Sequence, residues 1–197
     1  MAFLLLIRHA LPNIHPETPS EDWSLSAAGR EAAARLAVSI ANYRPKLVLS
    51  GPEAKVIGTA EIIAEQLGIG TQLVPALAEH RRRAAPFVST AEFESAVCRL
   101  FDNPSEAVFG EESADAAYQR FAAAIDRELA ARGEDTVFVV SGGTVISLFV
   151  SRRARISPLP LWRRLGMPTA LALDRTSWEI VAVHQTGATV DRGDATA

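Results

Sequence analysis

Three groups of polar residues come directly after short apolar runs, and their residue types suit phosphoryl chemistry. Arg8-His9 follows the run Phe3–Ile7, Ser50-Gly51-Pro52 follows a second run, and Ser141-Gly142-Gly143 follows a third. A neutral imidazole can attack phosphorus, and a neighbouring guanidinium can stabilise charge on the transferring oxygens. The pair Arg8-His9 therefore predicts a site that holds a phosphoryl group.

Two further side chains extend this set. Lys55 follows the second run closely, and Glu79 follows a short strand predicted over Thr71–Val74. Lys55 would add a second cation for the phosphoryl oxygens. Glu79 would protonate the leaving alkoxide and then activate water against a phosphohistidine. Because the cations are side chains, this chemistry needs no metal and no other cofactor.

The apolar runs are continuous, which is typical of strands that are covered on both faces. The predicted strands are Phe3–Ile7, Lys46–Ser50, Thr71–Val74, Thr136–Ser141, Ala170–Asp174 and Trp178–Val183. Helical periodicity and terminal signals predict helices between them, over about 26–43, 52–67, 90–101, 113–132 and 144–150. Strands that alternate with helices predict an α/β fold, a three-layer α/β/α sandwich with a mostly parallel sheet. Ligands bind at the carboxyl ends of the strands in such sheets, where the polar groups lie.

Composition limits the classes of function. The chain has 197 residues, 48% of them hydrophobic, which predicts one globular domain. A net charge of −3 argues against binding nucleic acid through bulk positive charge. The single cysteine, Cys98, cannot form an internal disulfide. The N-terminal apolar run is too short for a secretion signal, and no stretch approaches the ~18 apolar residues of a membrane span. We expect a cytoplasmic protein without nucleic-acid or membrane partners.

The order and spacing of these motifs resemble the histidine phosphatase superfamily, which has the phosphoglycerate-mutase-like fold. The matches cover roughly residues 3–150. Leu6–Ala10 is similar to the Arg-His-Gly signature, Leu25–Gly29 to a Leu-Thr/Ser-x-x-Gly helix start, and Ser50–Glu61 to a Ser-Ser-Pro-x-x-Arg-Ala-x-x-Thr-Ala element. Further along the chain, Leu77–Glu79 is similar to the Leu-x-Glu acid, Gly110–Ser113 with Arg120-Phe121 to a Gly-Glu-Ser…Arg-Phe stretch, and Val139–Ile146 to the second signature Val-Ser-His-Gly.

The resemblance implies a role for each matching side chain. His9 would be the phosphorylated nucleophile, Arg8 a phosphate ligand and Glu79 the proton donor. Lys55 stands at the position of a second phosphate-binding arginine, which keeps the charge but loses the two-pronged guanidinium contact. The implied reaction is hydrolysis of a small phosphomonoester through a phosphohistidine on His9, with the phosphorylated substrate or inorganic phosphate as partner.

Gly142 is the main departure from the family pattern, because it stands where the family has its second histidine. That histidine faces the phosphoryl group, and losing one such donor costs roughly 10²–10³ in rate. Backbone N–H groups of Gly142 and Gly143 would replace it in part. We therefore predict a phosphatase of reduced activity. Two alternatives stay open: a non-catalytic phospho-ligand-binding or scaffolding protein, and a phosphomutase.

The residues after Glu79 are less readable. The run Arg81–Arg83 either draws an anionic substrate to the mouth of the site or is an ordinary solvated charge run. His80 is next to Glu79, but adjacent residues of an extended segment point in opposite directions, so we do not expect it to replace the missing imidazole. We expect a single domain over residues 1–197, in which residues 82–112 form a lid-like insertion over the site.

Overall fold

The computed structural model describes residues 2–185, which form a sheet of six strands with six helices. The strands are β1 (Phe3–Arg8), β2 (Leu47–Ser50), β3 (Gly70–Leu73), β4 (Val137–Ser141), β5 (Thr169–Asp174) and β6 (Ile180–Gln185). Their order in the sheet is β3-β2-β4-β1-β5-β6. β1 to β4 run parallel, and β5 and β6 add antiparallel pairs at one side, so the mostly parallel sheet is confirmed.

The helices cover both faces of the sheet. They are α1 (Ala27–Ile40), α2 (Ala54–Leu67), α3 (Thr90–Asp102), α4 (Ala114–Ala131), α5 (Gly143–Ala154) and α6 (Pro158–Arg164). Successive side chains of a strand point to opposite faces. Leu5 and Ile7 of β1 accordingly pack with α1 and α2, whereas Leu4 and Leu6 pack with α4 and α5. The fold is the expected three-layer sandwich, with an apolar core on each side of the sheet.

The start of α1 explains the Leu-Ser-x-x-Gly match. Ser26 is the N-cap, and its hydroxyl accepts a hydrogen bond from the Gly29 amide at 3.0 Å. The same hydroxyl donates to the Leu11 carbonyl at 2.9 Å. An ideal Cβ on Gly29 would lie 3.0 Å from the Leu11 carbonyl carbon, so only glycine allows this approach. The segment that follows His9 is thereby anchored on the helix.

The sequence patterns do not predict α6, and they place the last strand two residues too early. Pro158 and Pro160 suggest an irregular segment, but the first turn of a helix tolerates proline because its N–H groups have no intrahelical acceptor. Trp178 has a φ of 63° and lies in the turn before β6 rather than in the strand. Within residues 2–185, no helix has the length and apolar character needed to cross a membrane.

Candidate active site

The topology brings the three polar motifs to one edge of the sheet. Arg8 pairs in register with Ser141 of the neighbouring strand, and the His9 amide donates to the Ser141 carbonyl at 3.0 Å. The Gly51 amide donates to the Val140 carbonyl at 3.1 Å, which holds the end of β2 on the other side of β4. A cavity of about 740 Å³ opens at this edge, and Arg8, His9, Lys55 and Glu79 all line it. Four of the five predicted site residues therefore share one cavity.

His9 is held as a neutral imidazole. Its Nδ1 lies 2.9 Å from the Ala10 carbonyl oxygen, and because a carbonyl only accepts, Nδ1 carries the proton and Nε2 has the lone pair. Burial lowers the pKa of His9 well below 6.5, and the charges of Lys55 and Arg8 lower it further. The Ala10 amide is fixed in turn by the Thr59 hydroxyl at 3.0 Å. The imidazole is thus oriented, uncharged and able to act as a nucleophile.

Two cations at the buried end of the cavity are anchored by backbone carbonyls. The Arg8 guanidinium donates to the Leu165 carbonyl, and the Lys55 ammonium donates to the Ser20 carbonyl. Lys55 also lies over the Trp23 ring, 5.4 Å from its centroid. Burial lowers the pKa of Lys55 to about 8, so its charge is present at neutral pH but is lost in mildly alkaline solution.

Glu79 binds the N-terminus of α5. Its carboxylate accepts hydrogen bonds from the amides of Thr144 at 2.9 Å, Val145 at 3.0 Å and His80 at 2.7 Å. Burial alone would raise the pKa of Glu79, but the Arg82 charge and these three N–H groups outweigh it and leave the pKa below its ordinary value. Glu79 is therefore an ionised carboxylate in the free protein.

Gly142 lies at the N-cap of α5, and Glu79 takes up the space beside it. An ideal Cβ on Gly142 would lie 2.7 Å from Cγ of Glu79 and closer still to its carboxylate. Gly142 itself does not line the cavity, whereas Gly143 and Thr144 do. Any side chain at position 142 would require Glu79 to move.

Arg82 is a third cation of the site. Arg83 also lines the cavity but pairs with Glu21 and Asp22, whereas Arg81 does not line it. The Arg82 guanidinium lies 5.0 Å from the Phe93 ring centroid and lines the cavity. The Arg82 charge also lowers the pKa of both Lys55 and Glu79. The sequence indicated the run but not that Arg82 and Arg83 line the cavity and Arg81 does not, because the segment has no regular periodicity.

Glu53 was missed by sequence reasoning. Its Oε1 accepts a hydrogen bond from the Glu79 amide at 2.7 Å, and its Oε2 is buried with no hydrogen-bond partner among residues 2–185. Burial raises the pKa of Glu53, which favours the protonated acid. Glu53 lies at an unspecified position of the Ser-Ser-Pro-x-x-Arg pattern, so no sequence signal marked it.

Arg120 fixes the segment that carries Glu79. Its guanidinium donates to the carbonyls of Ala76 at 2.9 Å, Ala78 at 2.8 Å and Glu79 at 3.1 Å, and it pairs with the Glu112 carboxylate. The Gly-Glu-Ser…Arg-Phe match contained both ion-pair partners but did not indicate a role. The structure provides one, because Arg120 holds the backbone on which Glu79 is mounted.

His80 does not contribute its imidazole to the cavity lining. Its Nε2 lies 2.8 Å from the Glu112 carbonyl oxygen, and its ring stacks on the Phe109 ring with 6.0 Å between the centroids. Within residues 2–185, no group of three or more His, Cys, Asp or Glu is arranged to hold a metal ion.

The fold is a three-layer α/β sandwich with a cavity at the carboxyl ends of its parallel strands, and comparison with family models identifies the family. The model of the histidine phosphatase superfamily, branch 1, matches residues 4–193. The chain therefore belongs to the histidine phosphatase superfamily. The sequence matches no curated protein.

Solved structures share the fold at low sequence identity. Mycobacterial glucosyl-3-phosphoglycerate phosphatase, solved with inorganic phosphate, superposes with a TM-score of 0.72 at 18% identity, covering 94% of this chain and 95% of its own. Mycobacterial hydrolase 1 superposes with a TM-score of 0.70 at 19% identity, covering 87% of this chain and 91% of its own. Bacillus stearothermophilus YhfR superposes with a TM-score of 0.67 at 18% identity, covering 96% of this chain and 97% of its own. These similarities establish the fold.

Proposed function

We propose that this protein hydrolyses small phosphomonoesters through a phosphohistidine on His9. The observation that carries the proposal is the state of His9, a buried neutral imidazole whose Nδ1 proton is bound to the Ala10 carbonyl. A nucleophile of this kind needs cations for the phosphoryl oxygens, and Arg8, Lys55 and Arg82 line the same cavity.

In the first step, Nε2 of His9 attacks phosphorus. The new N–P bond forms as the ester P–O bond breaks, and the leaving oxygen takes the bonding electron pair and then a proton. Glu79 is the proton donor after a dianionic phosphate has entered, because the added negative charge raises the carboxyl pKa. Arg8 and Lys55 stabilise the charge on the transferring oxygens.

In the second step, water attacks the phosphohistidine and Glu79, now ionised, accepts its proton. The N–P bond breaks, inorganic phosphate leaves, and His9 returns to the neutral form. The lowered pKa of Glu79 suits this step. The absence of an imidazole donor at Gly142 slows both steps, by roughly 10²–10³ in rate, and Arg82 offsets part of this loss.

A quench experiment tests the intermediate. The protein is mixed with ³²P-labelled phenyl phosphate, and we expect slow release of phosphate together with an acid-labile, base-stable label on the chain. His9→Asn should lose both signals. His15→Asn, a change at an exposed histidine outside the cavity, should retain both. Hydrolysis by His9→Asn at the wild-type rate would exclude the proposed nucleophile.

One observation favours a second candidate, a phospho-ligand-binding protein without turnover. In the free protein Glu79 is an ionised carboxylate that accepts hydrogen bonds from three amides, so in this state it carries no proton for a leaving group. Calorimetry with inorganic phosphate and the quench experiment separate the two candidates. Phosphate binding with no label and no release on prolonged incubation would favour the binding protein.

A further inference from the structure

The cavity has two chemically different parts. The buried part carries the cations and His9, whereas the outer part is lined mainly by apolar side chains. These include Leu11, Ile14, Trp23, Phe87, Val88 and Phe93. They come from two parts of the chain, the segment between β1 and α1 and the segment that runs from Glu79 into the first turn of α3.

Several of these apolar side chains are left exposed. Leu11, Ile14 and Phe87 are 39%, 55% and 52% exposed, and all three line this cavity. Exposed apolar surface inside a concave site is characteristic of a ligand-binding position, since a ligand removes it from water. The buried cations beside it are suited to the phosphoryl end of the same ligand.

The two walls of the outer part are tied together. The Trp23 and Phe87 rings lie 6.1 Å apart between centroids, at 60° to each other. The same two walls are joined by ion pairs, since Arg83 pairs with Glu21 at 2.9 Å and with Asp22 at 3.1 Å. The apolar side chains are therefore held opposite one another in one cavity.

Two polar side chains of this part, those of Arg83 and Ser89, already have partners. The Arg83 guanidinium is taken up by its two carboxylates, and the Ser89 hydroxyl is hydrogen-bonded to Glu92 at 2.7 Å. A polyhydroxylated leaving group needs several donors and acceptors to replace its water, and an apolar group does not. The lining thus discriminates in favour of an apolar body.

We infer that the outer part is a subsite for the leaving group, and that the substrates are phosphomonoesters of apolar, aromatic or branched aliphatic alcohols. This inference rests on the proposed phosphatase function. The apolar body packs between Ile14 and Phe87 while the phosphoryl group lies against Arg8 and Lys55.

The test compares two primary alkyl esters, so that the acidity of the leaving alcohol is similar. We expect kcat/KM for 2-phenylethyl phosphate to exceed that for glycerol 3-phosphate by at least about tenfold. Phe87→Ser and Ile14→Ser should each reduce this ratio severalfold. Val38→Ser, a change of a 71% exposed side chain on α1 outside the cavity, should leave the ratio unchanged.

Binding of non-hydrolysable analogues separates this inference from the proposed hydrolysis. In 3-phenylpropylphosphonate and 3,4-dihydroxybutylphosphonate, a methylene replaces the ester oxygen of each substrate. Tighter binding of the phenyl compound by about tenfold, without turnover of either ester, would support the subsite and refute the phosphatase. Equal kcat/KM for the two esters, or equal affinity for the two phosphonates, would refute the subsite.

Discussion

The Glu79 side chain occupies the volume into which a side chain at Gly142 would project. An ideal Cβ on Gly142 lies 2.7 Å from Cγ of Glu79, far inside van der Waals contact. The backbone of Gly142 has a φ of −90°, which any L-residue can adopt, so the obstacle to a side chain here is the contact with Glu79 and not the backbone conformation. A histidine at position 142 and Glu79 in its present position exclude each other.

Gly142→Ala should therefore destabilise the protein by about 1–3 kcal/mol, because it pushes the carboxylate away from the α5 amides that it satisfies. In a Glu79→Ala background the same change should cost little, since the clashing side chain is gone. Urea unfolding of the four proteins gives the coupling free energy. Additive effects of the two changes would contradict the coupling.

Gly142→His should raise kcat by up to roughly 10²–10³, because it adds a hydrogen-bond donor beside the cavity and releases the Glu79 carboxylate from α5. Gly142→Phe is the matched control, since it displaces Glu79 equally but donates no hydrogen bond. Single-turnover rates with phenyl phosphate compare the two variants. If Gly142→His and Gly142→Phe changed the single-turnover rate by the same factor, the imidazole donor would contribute nothing to the rate.

The pH dependence of kcat/KM should reflect Lys55. The pKa of His9 lies well below 6.5, so the nucleophile stays neutral throughout the range from 6.5 upward. The pKa of Lys55 is about 8, so its positive charge is lost as the pH rises through that value and kcat/KM should fall there. Lys55→Arg keeps its charge and should move the alkaline fall to higher pH. If Lys55→Arg left the pH profile of kcat/KM unchanged, the alkaline fall would not report Lys55, and its role in phosphate binding would be contradicted.

Stability against pH should reveal Glu53. Its pKa is raised above the ordinary value of 4.5, so between the two values the native state binds more protons than the unfolded state. The free energy of unfolding therefore falls as the pH rises through this window. Glu53→Gln keeps the uncharged shape and should gain stability over the wild type across the same window.

Urea midpoints at several pH values between 4 and 8 measure this difference. Glu61→Gln, a change at an exposed carboxylate on α2, is the matched control and should show no comparable trend. A constant difference between Glu53→Gln and the wild type would contradict a buried protonated acid.

Most of the sheet could be predicted because the strands of its parallel part are continuous apolar runs between amphipathic helices. The carboxyl ends of parallel strands share an edge, so Arg8, Ser50 and Ser141 could be placed together from the sequence. α6 could not be predicted, because Pro158 and Pro160 are strong helix breakers everywhere except in a first turn.

The sequence by itself determined the residue types at the site: an arginine and a histidine at the end of β1, a lysine after β2, and a glycine after β4. Only the tertiary structure decided how these groups interact. The position of Glu79 beside Gly142, the burial of Glu53 and the pairing of Arg83 rather than Arg82 with carboxylates depend on side-chain packing between segments distant in the chain. Local periodicity reports which face of an element is buried, but it carries no information on which distant atoms fill the space.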